Sequence, residues 1–277
     1  MNKLGINLWN WCPALSDKCL GLPTRIARMG FDAVELPMTV AVVDERLKNE
    51  IKDNGLEVSL CAALGPGRDI SNFNEDIRES TMTYLTECLK TGESLGAKVL
   101  AGPLYAGGGK RHALPDDEKA REWDYAVQGL SELARRASDC GIRLAIEPLH
   151  RYRTSVINTV GQALKMIDDI GAINVGLHYD TFHACLEEAD LIESLNRALA
   201  SRKVMHFHAC ANNRGAPGQG IVPWGDVFTA IRKSGYRGHV TMETFAPGGL
   251  DAGWVNVHGS PDEVARIGIT CLRQFFS

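Results

Sequence analysis

The stretch WDYAVQGLSELARRASDCGIRLAIEP, residues 123–148, holds one full copy of the unit from which the chain is built. Trp123 to Cys140 has apolar residues at helical spacing and stops at Gly141, a residue suited to the left-handed turn that ends helices. Two residues on, Arg143 to Ile146 is a short aliphatic run of the kind that forms buried parallel strands. The run ends on a single acidic residue, Glu147.

The same order of helix, glycine and strand recurs outward in both directions. Strand-like runs are Leu4 to Leu8, Ala33 to Leu36, Glu57 to Ala62, Lys98 to Ala101, Val175 to Tyr179, Val204 to His208 and His239 to Met242, making eight with Arg143 to Ile146. Helical patterns are Thr24 to Met29 before Gly30, Asp76 to Leu95 before Gly96, Val160 to Ile170 before Gly171, Val227 to Ser234 before Gly235, and a closing helix from Pro261 to Phe276. Repeated units of this kind predict an α/β fold with a parallel sheet. Eight strands are the number that closes a barrel, so the expectation is a single (β/α)8 TIM barrel spanning residues 1–277. The alternative is a doubly wound open sheet. No linker, low-complexity tract or shift of composition divides the chain.

The bulk properties restrict the function. The chain is 44% hydrophobic and 23% charged, ordinary for a globular protein, and its formal net charge of −4 offers no basic excess for nucleic acid. The eight cysteines, Cys12, Cys19, Cys61, Cys88, Cys140, Cys185, Cys210 and Cys271, include no CxxC pair and read as free thiols of a reduced compartment. The opening MNKLGINLWNW lacks the apolar run of a signal peptide, and no apolar stretch reaches the ~20 residues of a membrane span. A cytoplasmic protein without a membrane partner is expected.

Four consecutive strand-like runs end on polar residues: IEP on Glu147, YDTFH on Asp180, HFH on His206 and His208, and METF on Glu243. In a barrel these ends share the C-terminal rim, where such folds place their chemistry. Taken singly, each acid is more often a cap or a solvated loop residue, and a lone histidine more often a satisfied core residue. Together they form a carboxylate-rich set with one imidazole, suited to Mn2+, Mg2+ or Co2+ rather than a thiolate-type zinc site. Burying three carboxylates without a cation would raise their pKa values at a cost in stability. HFH is expected to set His206 and His208 on opposite faces of the strand, with only one entering the barrel mouth. Spacing leaves open which one. The glycine-rich stretches Ala106 to Lys110, Gly215 to Gly220 and Pro247 to Gly253 all follow strands and are expected to cover a substrate.

At these residues the chain resembles the xylose-isomerase-like barrel sugar isomerases and epimerases, and within them the ketose 3-epimerases of the tagatose and psicose (allulose) type. The resemblance spans nearly the whole chain. It is carried by MGFDAVEL at 29–36, GPLY at 102–105, IEPLHRY at 146–152, YDTFHACLEEAD at 179–190, HFHACANNRGAPGQGIVPW at 206–224 and GYRGHVTMETF at 235–245. It implies one divalent metal ion, Mn2+ first with Mg2+ or Co2+ as alternatives, held by Glu147, Asp180, His208 and Glu243. Alignment through Asn213, Arg214 and Pro217 is what selects His208 over His206. The implied reaction inverts carbon 3 of a ketose or keto-sugar derivative through an enediolate, with Glu147 and Glu243 as the acid–base pair. His183 and Arg214 would then touch substrate oxygens, while Glu35 and His206 would support the site from behind. Trp11, Cys61 and Tyr105 follow strands and would line the pocket. Dimers or tetramers are common in the family.

One departure bears on substrate. The ketose 3-epimerase pattern Glu-x-x-Asn-Arg-aromatic-Glu reads here Glu147, Pro148, Leu149, His150, Arg151, Tyr152, Arg153. Arg153 replaces a substrate-contacting carboxylate, which suggests a substrate carrying a carboxylate, a phosphate or an oxidised carbon. The alternative is an Arg153 that swings to solvent. The competing functions are an aldose–ketose isomerase or a lyase on the same metal site, a DNA-repair endonuclease of the related barrel group, and a non-catalytic sugar-binding protein. The endonuclease needs more histidines, several metals and a basic groove. The binding protein needs no paired glutamates.

Overall fold

The computed structural model describes residues 2–65, 67–246 and 259–276. Eight strands pair in parallel and in sequence order into a closed barrel, which rules out the open-sheet alternative. They are β1 (Leu4–Asn7), β2 (Ala33–Pro37), β3 (Glu57–Cys61), β4 (Val99–Gly102), β5 (Arg143–Ile146), β6 (Val175–Asp180), β7 (Val204–Ala209) and β8 (Val240–Met242). All eight lie within a residue or two of the apolar runs. Both faces of each strand are covered, so aliphatic content marks them without alternation.

The helices are α1 (Leu22–Met29), α2 (Glu45–Asp53), α3 (Glu75–Ser94), α4 (Asp116–Asp139), α5 (Val160–Ile170), α6 (Thr181–Glu187), α7 (Leu191–Ala200), α8 (Trp224–Ser234) and α9 (Pro261–Phe276). Two differences from the sequence pattern have clear causes. Helix α4 starts seven residues before Trp123, because its first turns are polar (Asp116, Asp117 and Glu118 complement the helix dipole) and carry no apolar period. Helices α2 and α7 are announced mainly by aspartate caps: Asp44 accepts from the Arg46 N–H and Asp190 from the Glu193 N–H.

The barrel lumen changes character along its axis. Val99, Ala101 and Ala145 pack with Met205 in an apolar plug. Nearer the mouth the layer is polar. Register places Asn7 beside Glu35 and Glu35 beside Ser59, and both neighbours donate to the Glu35 carboxylate, at 2.8 and 2.9 Å. Between β6 and β7 the register shifts, with Leu177 opposite Val204 but His178 opposite His206 and Asp180 opposite His208. The extra residue, Met205, is a bulge that sets the histidines of β7 level with the end of β6.

The expectation about HFH is corrected here. His206 and His208 share the inward face, since side chains two residues apart on a strand point the same way. They differ in depth along the axis, and both are fully buried. Of the three glycine-rich stretches, Pro247 to Gly253 lies outside the described residues. The other two lie in loops at the C-terminal rim, after β4 and β7.

Gly102, the last residue of β4, has φ of 123° and would set a Cβ 2.4 Å from the Ala62 carbonyl oxygen. Its own carbonyl accepts from the Glu147 N–H at 3.1 Å. Gly102→Ala should therefore destabilise the fold by about 2–4 kcal/mol, since left-handed strain adds to a backbone clash. Urea unfolding measures this; a loss under about 0.5 kcal/mol, the size of a surface substitution, would contradict it.

Candidate active site

Strands β5 to β8 each bring one side chain to the mouth: Glu147 just past β5, Asp180 at the end of β6, His208 in β7 and Glu243 just past β8. All four are nearly inaccessible. Asp180 divides its carboxylate, Oδ1 capping α6 through the Phe182 N–H at 2.7 Å and Oδ2 facing the site. His208 is held by Glu35, its Nε2 lying 2.7 Å from Glu35 Oε1. A carboxylate can only accept, so Nε2 carries the proton and Nδ1 faces Glu243 Oε1 at 3.4 Å. Glu35 Oε2 also lies 2.6 Å from His206 Nε2. Glu35 and His206 thus sit behind His208, where they were expected.

The four expected ligands fall into two adjoining groups. Glu147 and Asp180 group with His183, and His208 and Glu243 with Glu35 and Cys61, the donor atoms of each group lying within 4.8 Å of one another. Arg214 stands between them, with Nη1 at 3.1 Å from Asp180 Oδ2 and 2.9 Å from Glu243 Oε2. Its backbone φ is 61°, and its guanidinium lies 3.7 Å from the Phe182 ring centroid and 4.9 Å from that of Phe245. Nη2 lies 3.2 Å from His183 Nε2, and His183 Nδ1 accepts from the His150 N–H.

Burial, followed by Asp180 and Glu243, pushes the Glu147 carboxyl well above the ordinary carboxylate value. Burial also raises Asp180, although Arg214 opposes it. Burial works against a charged His208, yet Glu243 and Glu35 outweigh it and hold the imidazole well above its usual value. Burial would raise Glu35, but His208 and His206 bring it well below. The residues fit a divalent cation. Glu147 Oε1 and His208 Nδ1 are buried without a hydrogen-bond partner, and the donors are hard oxygens with one imidazole nitrogen.

Above these groups opens a small cavity. Glu147, Glu243, His183, Arg214, Arg153 and Cys61 contribute to its lining, with apolar walls from Trp9, Pro103, Leu149 and Phe245. Arg153 therefore reaches the cavity. Trp11 and Tyr105 do not line it: the Trp11 indole donates to Asp262 at 2.8 Å, and fully buried Tyr105 donates to the Ile157 carbonyl at 3.1 Å. Trp9 takes the place expected of Trp11 and stacks on Phe245 with ring centroids 5.2 Å apart. Sequence reasoning also missed His178, which groups with His206 and His208 and has both ring nitrogens buried without a hydrogen bond, Nδ1 lying 3.8 Å from Glu147 Oε2. The signal was present: His178 precedes Asp180 by two residues, as His206 precedes His208, and period two puts each pair on one face.

The chain belongs to the xylose isomerase-like TIM barrel family, whose profile matches residues 23–275. It is 31% identical over 220 residues to a ketose 3-epimerase of Arthrobacter globiformis, covering 78% of this chain and 74% of that one. It is 30% identical over 225 residues to the 3-dehydro-D-guloside 4-epimerase of Escherichia coli (strain K12), covering 79% of this chain and 84% of the relative. A solved structure of an L-ribulose 3-epimerase superposes with a TM-score of 0.89 at 26% identity, over 99% of this chain and 94% of the other. The chain is an enzyme of the sugar isomerase and epimerase type. Among the described residues no helix is long and apolar enough to cross a membrane.

The raised values of Glu147, Asp180 and His208 make the metal-free fold hold protons that the unfolded chain has released. Its stability should fall as pH rises through those values. Glu35 acts oppositely, contributing stability above its ordinary value of 4.5 that is lost as pH falls through its lowered value. Burial lowers His178, His183 and His206, which opposes that fall near neutral pH, so the metal gives the readout: added Mn2+ should raise the Tm of chelator-treated protein more at about pH 8 than at about pH 6, because protons compete less for the ligands. A metal-induced shift that is larger at about pH 6 would contradict this account.

Proposed function

We propose that the chain is a divalent-metal-dependent epimerase inverting carbon 3 of a ketose or keto-sugar derivative, with Glu147 and Glu243 as its acid–base pair. One observation carries this reading: two buried carboxylates, delivered by strands three apart around the barrel, face the same cavity. Glu147, Asp180, His208 and Glu243 would hold the ion, with Mn2+ proposed first and Mg2+ or Co2+ as alternatives. Glu35 supports this by holding Nε2 of His208, which fixes the ring so that Nδ1 is the coordinating atom. The bound cation supplies Lewis-acid polarisation of the sugar carbonyl.

The rest is the work of the chain's own side chains. One glutamate removes the proton from carbon 3 and the other delivers a proton to the opposite face, which inverts the centre through an enediolate. In the metal-free chain burial and the carboxylates of Asp180 and Glu243 raise the affinity of Glu147 for a proton. Arg214 and His183 present N–H donors to the oxygens on which negative charge develops. Trp9, Leu149 and Phe245 give apolar walls for the carbon faces of the sugar and limit water at the reacting carbon.

Glu147→Gln and Glu243→Gln should each lower kcat by about a hundredfold or more, the range of a lost general acid or base. Turnover in deuterium oxide should place label at carbon 3, and chelation should abolish activity until metal returns. Label at carbon 1 alone would replace this reading with an aldose–ketose isomerase. Full activity of chelated, metal-free protein would remove the cation from it.

Arg153 supports a narrower choice of substrate. Its place in the cavity lining, beside Arg214 and His183, adds a cation where the ketose 3-epimerase pattern has a carboxylate. We propose that the preferred sugar carries a carboxylate, a phosphate or an oxidised carbon. Arg153→Ala should then raise KM about tenfold or more for such a substrate, the cost of a lost charge-assisted hydrogen bond, and leave neutral ketoses within about twofold. Wild-type turnover of neutral ketoses equal to or better than that of keto-sugar acids would reject the choice.

A further inference from the structure

The AGGGK stretch at 106–110 belongs to none of the chemistry above, yet its lysine side chain is only 12% exposed. Lys110 Nζ lies 2.8 Å from Asp69 Oδ2, 3.0 Å from Ser71 Oγ and 2.6 Å from Glu122 Oε1. Asp69 Oδ2 and Ser71 Oγ accept hydrogen bonds from the ammonium, and Glu122 Oε1 adds an ion-pair contact. They come from separate parts of the fold: Asp69 and Ser71 from the loop between β3 and α3, Glu122 from α4. Asp69 is fixed in turn, accepting from the Ser71 N–H and hydroxyl and from Asn72. Burial raises the Asp69 carboxyl, but the hydrogen bond and charge of Lys110 together with the two Ser71 bonds outweigh it and hold it below its ordinary value.

The glycines explain how the lysine gets there. A Cβ on Gly107 would lie 2.8 Å from the Arg68 carbonyl oxygen, and one on Gly108 would lie 2.9 Å from that of Leu64. The loop can therefore press on the backbone at Leu64 and Arg68 only as glycine. Its other edge grips the loop after β5. The Gly109 N–H donates to the Arg153 carbonyl at 3.2 Å, and the Lys110 carbonyl accepts from the Ser155 N–H at 2.8 Å and its hydroxyl at 3.1 Å. Arg153 is the residue between these anchors whose side chain reaches the cavity.

We infer that Lys110 is a positioning residue for substrate recognition, acting through its bonds to Asp69, Ser71 and Glu122 and through the 109–155 backbone clasp to hold Arg153 at the cavity wall. The ion cluster fixes the loop, the loop fixes the 153–155 backbone, and that backbone sets where the guanidinium points. This rests on the reading of the cavity as the substrate site.

The test is a double-mutant cycle on metal-loaded protein, using a keto-sugar acid as substrate. Lys110→Met should raise KM about tenfold with kcat within about twofold, and should add little in an Arg153→Ala background, because residues acting through one another are non-additive. Metal stoichiometry should not change. Hydrogen exchange at the Gly109 and Ser155 amides should accelerate. An equal rise of KM in both backgrounds would overturn the inference, as would a joint fall of kcat and metal content, or unchanged exchange at both amides. If Lys110→Met does not fold, Glu122→Gln removes one charge while keeping the shape, and the same outcomes decide. If the wild-type protein turns over no sugar, the functional reading fails by itself, while exchange, which needs no substrate, still decides the clasp.

Discussion

Four carboxylates, Glu35, Glu147, Asp180 and Glu243, are buried within one barrel mouth, and the rest of the site is a response to that constraint. Charged carboxylates out of water are costly unless each is paired, protonated or bound to a cation. The chain shows the first two of these responses and is built to accept the third. Glu35 is fully paired, by Asn7, Ser59, His206 and His208. Asp180 and Glu243 share the Arg214 guanidinium. Glu147 has no comparable partner for Oε1, and its affinity for a proton rises accordingly. The same imbalance that makes the mouth costly to build makes it receptive to a divalent cation and to a mobile proton.

Precision at the mouth comes from contacts among its own side chains. Glu35 decides which nitrogen of His208 faces the site. Phe182 and Phe245 flank the Arg214 guanidinium, which the left-handed backbone at that residue directs inward. Asp180 spends one oxygen on capping α6, so the helix that carries His183 and the strand that carries Asp180 cannot move independently. Around the rim, Lys110 does for the β5–α5 loop what Glu35 does for the lumen, tying a functional residue to a buried ionic cluster. A positioned site of this kind loses little to reorganisation when charge develops on the substrate.

Much of this was legible in sequence. Eight aliphatic runs with intervening helices specify a closed parallel barrel, because strands buried on both faces need no alternation and glycine marks helix ends such as those of α1, α5 and α8. The polar residue at the end of each of β5 to β8 was visible for the same reason: a lone acid or histidine stands out where an aliphatic run stops. His178 was less visible because it lies inside a strand, where a histidine reads as core. Trp9 and Trp11 could not be told apart, since a short 3-10 turn at Leu8–Asn10 breaks the strand period just where the two diverge.

The sequence alone determined which residues could do the chemistry and that they would meet at one end of a barrel, because residue type and period are local properties. Tertiary structure decided how they meet. The bulge at Met205 sets His206 and His208 level with β6, the two histidines share one face at different depths, and Arg214 reaches between the carboxylates from a loop after β7. Arg153 was a bare substitution in a motif until the loops placed it in the cavity wall. Such facts depend on register and on contacts between residues far apart in the chain, which no local pattern encodes.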